Sequence, residues 1–82
     1  MKEKARKLME EQILQMGKDL ELIEIFQSGD KYVGTLKEKG SEEAYENVLV
    51  YDTTDDSIKR VHIMTAMIEF PKTEKERLRE IG

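Results

Sequence analysis

The fold is decided by residues 20–37, which read LELIEIFQSGDKYVGTLK. The first half is rich in β-branched and aromatic residues and the second half alternates apolar with polar residues, so both halves predict strands. Ser28-Gly29-Asp30, between them, has the composition of a tight turn. Gly34 stands in the middle of the second strand, where a glycine marks a sharp bend or the close approach of another backbone. The stretch therefore predicts a β-hairpin with a bent second arm.

An amphipathic helix is predicted before this hairpin. Residues 2–16 place apolar side chains at three- and four-residue intervals, the spacing that gathers them on one helical face: Ala5, Leu8, Met9, Ile13 and Met16. Gly17 follows and predicts the end of the helix. If the sheet is strongly bent, we expect this helix to cover one open end of it.

Three further strands are predicted after the hairpin, over residues 45–53, 58–64 and 66–70. In the third, alternation puts Val48 and Val50 on one face and four residues on the other, namely Tyr45, Asn47, Leu49 and Tyr51. Residues 54–57 form a turn, Thr65 interrupts the chain between the last two strands, and Pro71 ends the fifth because proline cannot donate to a ladder.

The predicted fold is mainly β: an N-terminal helix followed by a five-stranded, strongly bent barrel over residues 1–71. Five short strands are too few for a two-sheet sandwich, whereas a bent sheet that closes on itself can bury one small core. Residues 72–82 form a charged tail. Thr73 and Glu76 are spaced as in a capping box, so a short helix is predicted over 74–81.

Length and composition limit the possible functions. The chain has 82 residues, no cysteine, 38% hydrophobic and 39% charged residues and a net charge of −4. Disulfides and cysteine-based zinc sites are excluded, and the apolar runs are too short to span a membrane, so a cytoplasmic protein is expected. A domain this small buries a limited fraction of its surface, which favours association with other copies.

Catalytic and cofactor chemistry is sparse in the sequence, so a non-enzyme without metal or cofactor is expected. The one histidine, His62, has no evident catalytic partner and is more typical of a structural or interface position. Asp52, Asp55 and Asp56 lack the alternation and central glycine of a calcium loop. Gly29 and Gly34 are followed by a strand, not by the helix that a phosphate-binding loop requires.

A recognition surface is the remaining candidate. Tyr45 and Asn47 are two residues apart on a predicted strand and so share a face. An aromatic ring beside an amide can stack a base and hydrogen-bond its edge, as in proteins that bind unpaired RNA. The alternative is structural, with Tyr45 packing on Leu49 or Tyr51.

Two segments resemble the Sm-like family, which includes the Sm proteins and bacterial Hfq. The residues from Gly29 to Leu36 match its pattern of glycine, four residues, glycine, any residue and leucine, and Glu43-Ala44-Tyr45-Glu46-Asn47-Val48 is similar to the continuation. Residues 61–71 are similar to its second motif, with His62 in the place of the Hfq histidine. The resemblance covers about residues 5–71.

The resemblance implies a barrel that assembles into a ring of six or seven subunits, in which the fourth strand of one copy pairs with the fifth of the next. The oligomer interface would then consist of Val61, Ile63, Met67, Ile68 and Phe70. It also implies single-stranded RNA near the pore, with Tyr45 stacking on a base, Asn47 bonding to its edge, and His62 and Thr65 lining the adjacent strand break.

A second hypothesis keeps the barrel and the assembly but not the RNA. The arginine-glycine pair of the Sm motif is here Met64-Thr65, and the basic residue before the Hfq histidine is here Val61. Glu42 and Glu43 make the nearby loop acidic. On this hypothesis the chain is an oligomeric structural or protein-interaction module.

Overall fold

The computed structural model describes residues 2–71, over which two helices enclose one antiparallel sheet. The strands follow chain order, β1-β2-β3-β4. The predicted class, mainly β with an N-terminal helix, is confirmed, but the sheet is open and has four strands. The helix predicted over 74–81 lies outside the described residues. The elements are α1 (Lys2–Gln15), β1 (Leu20–Ser28), β2 (Lys31–Glu38), β3 (Asn47–Asp52), β4 (Ser57–His62) and α2 (Ile63–Glu69).

The predicted hairpin is present, as antiparallel strands β1 and β2. Ser28 pairs with Lys31, and Gly29 takes a φ of 60°, which glycine adopts at no steric cost. A β-bulge lies between Leu22 and Glu24, so Ile23 has no partner on β2 and its side chain is half exposed. The bulge bends β1 opposite the middle of β2.

The helix α1 covers one face of the sheet and forms the larger of two cores. Its buried residues meet alternate residues of every strand, because side chains on a strand alternate between faces. We call this the α1 core: its buried members are Ala5, Met9, Ile13, Leu20, Ile25, Leu36, Leu49 and Tyr51.

At Gly34 a side chain of α1 lies against the backbone of β2. A Cβ atom at this position would lie 2.5 Å from Sδ of Met9 and 2.9 Å from Cδ1 of Leu22. Met9 is fully buried, so its side chain has little room to withdraw. The glycine thus admits the side chain of a packed helix, a close approach of the kind expected at residue 34, although from a side chain and not a backbone.

The opposite face of the sheet carries a smaller core beneath α2. Among residues 2–71, only Val33, Val48, Val50 and Ala66 are buried there, and partly buried residues surround them: Phe26, Val61, Ile63 and Phe70. We call this the α2 core. The seven residues of α2 cover this face less completely than the fourteen residues of α1 cover the other.

The prediction of a fifth strand over residues 66–70 is wrong, because residues 63–69 form α2. The apolar run there is short, and short runs suit a buried strand and a helix equally well. The helix is decided by the spacing of Ile63, Ala66 and Phe70, which places these three residues on the sheet side. The fourth strand consequently ends at His62 and not at Met64.

We predict that Gly34→Ala lowers the free energy of unfolding by about 1–3 kcal/mol, because the added methyl group overpacks the contact with Met9. In a Met9→Ala background the same substitution should cost less, since the obstructing thioether is gone. Urea denaturation of the four variants of this double-mutant cycle measures the difference. An equal cost in both backgrounds would contradict the proposed contact.

Candidate functional site

Three of the four residues predicted to bind RNA lie together at one corner of the sheet. Asn47 opens β3 and pairs directly with His62, the last residue of β4. Tyr45 lies just before β3 and packs against the α1 core. Thr65 is exposed on α2, where a helix takes the place of the predicted strand break.

The surroundings of Tyr45 are crowded and acidic. Its backbone N–H donates to the carbonyl oxygen of Leu36 at 2.8 Å, and Nζ of Lys18 lies 5.3 Å from the centre of its ring, a cation–π distance. Hydrogen bonding to Tyr45 raises the pKa of Lys18. The shallow pocket beside the ring is lined by three acidic residues, Glu38, Glu43 and Glu46. A phosphate backbone would approach this corner against their charge.

His62 is the N-cap of α2, a specific structural role that the sequence analysis did not identify. Its Nδ1 accepts a hydrogen bond from the backbone N–H of Met64 at 3.2 Å. The preceding backbone N–H, that of Ile63, donates to the carbonyl oxygen of Glu46 at 2.8 Å. The first two amides of α2 are therefore paired. The signal available in the sequence was a polar residue directly before the helical spacing of Ile63, Ala66 and Phe70.

The outer side of α2 exposes large apolar side chains. Met64 is 61% exposed, Met67 69% and Ile68 81%. Beside them lies a groove of about 210 Å³ between α2 and the sheet. Its walls are almost entirely apolar and consist of Phe26, Val33, Thr35, Val48, Ile63, Ala66 and Met67. We call the exposed side chains and this groove together the α2 face.

The residues predicted to form an oligomer interface divide into two groups. Val61, Ile63 and Phe70 are half buried and pack into the α2 core. Met67 and Ile68 point outward on the α2 face. Pairing between the fourth strand of one copy and a fifth strand of the next has no structural basis, because residues 66–70 do not form a strand. Outward-facing apolar side chains are present in the predicted segment, but a helix presents them.

The α2 face is also free of charge. Residues 63–68 are six consecutive uncharged residues in a chain in which 39% of residues are charged. The groove residues from the sheet, among them Phe26 and Thr35, are uncharged as well. An exposed surface of this composition is typical of a protein–protein contact.

An electrostatic cluster fastens the start of α1 to the β3–β4 turn. The hydroxyl of Tyr51, a buried residue, donates a hydrogen bond to Oδ1 of Asp56, and the same oxygen lies 3.1 Å from Nζ of Lys4. The hydrogen bond from Tyr51, followed by the one from Lys4, lowers the pKa of Asp56. Asp56 holds this position with a φ of 57°, which aspartate tolerates better than most residues. The sequence analysis had assigned Asp56 to the turn alone.

Within residues 2–71, no group of three or more His, Cys, Asp or Glu side chains is arranged to hold a metal ion. None of the helices in this part of the chain has the length and apolar character needed to span a membrane.

Comparison of the chain with protein-family models, curated proteins and solved structures gives no match. The functional argument therefore rests on the surfaces described above.

We predict that Asp56→Asn destabilises the protein at neutral pH and has a smaller effect in acid. The folded state lowers the pKa of Asp56, so the stability from this carboxylate is present above its ordinary value of 3.8 and is lost as the pH falls through the lower folded value. Urea denaturation from pH 7 down to about pH 3 measures this.

Asp55→Asn is the matched control, since it removes a carboxylate from the same turn but leaves the hydrogen bonds to Ser57 possible. A stability difference between wild type and Asp56→Asn that stays constant with pH would contradict the ionic contribution.

Proposed function

We propose that the protein is a non-catalytic module that assembles with copies of itself through the α2 face. The observation that carries the proposal is the pairing of outward-facing Met64, Met67 and Ile68 with an adjacent apolar groove. An isolated exposed apolar residue needs no explanation, but a contiguous set beside an apolar groove indicates an interaction site.

A second copy is the occupant that this surface fits. In a twofold dimer the same patch faces itself, so it must contain both projections and a recess to receive them. The α2 face meets this requirement, with Ile68 projecting at 81% exposure and the groove lying beside it. Each subunit can place an aliphatic side chain against the groove of the other.

Charge also favours this face for self-association. Two copies with a net charge of −4 repel each other, and surfaces dense in carboxylates, such as the corner around Glu38, Glu43 and Glu46, would meet like charge. Six of the seven residues of α2 are uncharged and incur no such penalty, and Glu69, the last residue of the helix, is its one carboxylate.

The face of the sheet beneath α2 spans all four strands. The α2 core and its borders reach from Phe26 on β1 to Val61 on β4, across the full width of the sheet. Covering this face would complete a core that α2 alone leaves thin.

We predict that Ile68→Lys weakens self-association at least tenfold, about 1.4 kcal/mol, because each interface would bury a lysine ammonium. Leu14→Lys is the matched control: Leu14 is also 81% exposed and helical, but it lies on α1. Sedimentation velocity from micromolar to millimolar concentration measures the mass of wild type and both variants.

The proposal requires a wild-type mass above one chain that falls in Ile68→Lys and is kept in Leu14→Lys. A wild-type monomer at every concentration would contradict it, as would equal losses in the two variants. A mass of six or seven chains would instead indicate a closed ring, which needs two different contact patches on each subunit and so would contradict the twofold contact.

A second candidate function is binding of single-stranded RNA at the corner formed by Tyr45, Asn47 and His62. It is supported by the direct pairing of Asn47 with His62, which places an amide and an imidazole side by side, and by the resemblance of residues 29–36 and 43–48 to the Sm-like motif. Nδ1 of His62 caps α2, so Nε2 is the atom that remains for a ligand. The acidic neighbours make this the weaker proposal.

Fluorescence anisotropy with labelled oligo-U and oligo-A at low salt tests the RNA proposal. Tyr45→Ala should weaken binding by about tenfold or more, since stacking of one base contributes about 1–3 kcal/mol. Tyr32→Ala serves as the control, because Tyr32 also packs at the border of the α1 core but lies away from this corner, on β2. An absence of binding, or equal effects of the two substitutions, would contradict the proposal.

A further inference from the structure

The outer side of β4 is an open edge of the sheet. The strand order is β1-β2-β3-β4, and within residues 2–71 no further strand pairs with β4. Its pairing with β3 is unbroken from Ser57 to His62, whereas β1, the other edge strand, carries the bulge at Ile23. A bulge disfavours pairing with another strand, and a regular edge permits it. We call the open side of β4 the β4 edge.

The backbone of β4 presents hydrogen-bonding groups at this edge. The N–H of Ile63 donates to the carbonyl oxygen of Glu46, so these opposite residues occupy a hydrogen-bonded position of the ladder. In an antiparallel ladder, such positions alternate with positions whose backbone groups point away from the neighbouring strand. Along the register of β3 and β4, Ile58 and Arg60 therefore direct their N–H and carbonyl groups outward. These groups can pair with the backbone of an extended peptide.

The side chains of the β4 edge are basic and lack an acidic partner among the described residues. Lys59 and Arg60 are consecutive and exposed, so they lie on opposite faces of the sheet. Neither forms an ion pair with another residue of the described chain. The three aspartates of the adjacent β3–β4 turn already bond to other side chains: Asp52, Asp55 and Asp56.

We propose that the β4 edge binds an extended peptide segment in which two consecutive acidic residues stand between two apolar ones. The segment adds to the sheet as a strand beside β4, a known mode of peptide binding. Residues directly opposite each other share a face, so one acid meets Arg60 and the next meets Lys59. The flanking apolar residues meet Ile58 and Val61, which are partly buried. This order of residues is the same for a parallel and an antiparallel segment.

Other occupants fit the β4 edge less well. Two β4 strands from different copies would bring Lys59 and Arg60 of each close to the same cations of the other, which is unfavourable. The β1 strand of a second copy is bulged, and its Glu21 already lies 3.5 Å from Nζ of Lys37. A nucleic acid would match the two cations but would leave the outward carbonyl groups without donors from a partner strand.

The β4 edge is separate from the α2 face. The sheet residues that line the groove of the α2 face belong to β1, β2 and β3: Phe26, Val33, Thr35 and Val48. Peptide binding is therefore an additional function, and its tests do not require self-association.

The first test measures binding of the fluorescein-labelled peptide Thr-Thr-Val-Glu-Glu-Ile-Thr-Thr by anisotropy at low salt, up to millimolar protein. The double variant Lys59→Glu, Arg60→Glu should bind at least about tenfold more weakly, because two attractive cross-strand pairs become repulsive. A peptide with Lys-Lys in place of Glu-Glu should show the opposite preference. Lys2→Glu, Lys7→Glu is the matched control: it changes the net charge equally at exposed positions of α1 and should bind the acidic peptide like the wild type.

Three results would overturn the proposal. The first is an absence of peptide binding, or equal binding of the acidic peptide to wild type and the Lys59→Glu, Arg60→Glu variant. The second is binding of oligo-U that is lost in this variant, which would assign the edge to a nucleic acid. The third is loss of self-association in the same variant, measured by sedimentation velocity, which would assign the edge to a second copy.

The second test examines the backbone pairing by hydrogen exchange of the complete chain. In the free protein, the amides of Lys59 and Val61 should exchange slowly and those of Ile58 and Arg60 rapidly, because only the first two bond to β3. Saturation with the acidic peptide should slow exchange at Ile58 and Arg60 at least about tenfold. Binding without this protection would show contact between charges alone and would overturn the addition of a strand.

Discussion

The structure depends on one constraint: the third strand of the sheet is apolar on both of its faces. Val48, Leu49, Val50 and Tyr51 are consecutive and all are buried. Because alternate side chains point to opposite sides, Leu49 and Tyr51 need cover on one face and the two valines need cover on the other. A four-stranded meander cannot cover both of its own faces, so each face is covered by a helix. One helix precedes β1 in the chain and the other follows β4.

The two helices cover their faces of the sheet to different extents, and the proposed function follows from this difference. On α1, Met9 fills the space left by Gly34, and the ion pair between Lys4 and Asp56 holds the start of the helix against the β3–β4 turn. By contrast α2 is half as long and directs Met64, Met67 and Ile68 to solvent. One face of the sheet is thus covered within the chain, and on the other face large apolar side chains stay exposed.

Local sequence signals predicted the elements that depend on neighbours in the chain. The spacing from Ala5 to Met16, the Gly29 turn and the alternation of β3 were sufficient for α1, the hairpin and the two faces of the sheet. Residues 58–64 and 66–70 were assigned to two strands, because a short apolar run suits a strand and a helix equally well. The helix over 63–69 is decided by the packing of Ile63 and Ala66 on valines that are distant in the sequence.

The candidate sites show the same limit. Tyr45 and Asn47 were expected on one face, but the acidic pocket involves Glu38, which belongs to another strand. The ion pair between Lys4 and Asp56 joins the first turn of α1 to the β3–β4 turn, far away in the sequence, and has no local signature. The cap at His62 has a local signature, because a polar residue stands directly before residues with helical spacing. This signature identifies a cap only once α2 is known to be a helix.

The most direct test of the central claim is the oxidation of methionines by dilute peroxide, followed by mass spectrometry at increasing protein concentration. Met64 and Met67 lie on the α2 face and Met9 is buried in the α1 core, so the three report on different surfaces of one chain. The account predicts that Met64 and Met67 oxidise rapidly in dilute protein and become protected as concentration rises, while Met9 stays slow throughout. Rapid oxidation of Met64 and Met67 at every concentration would contradict it.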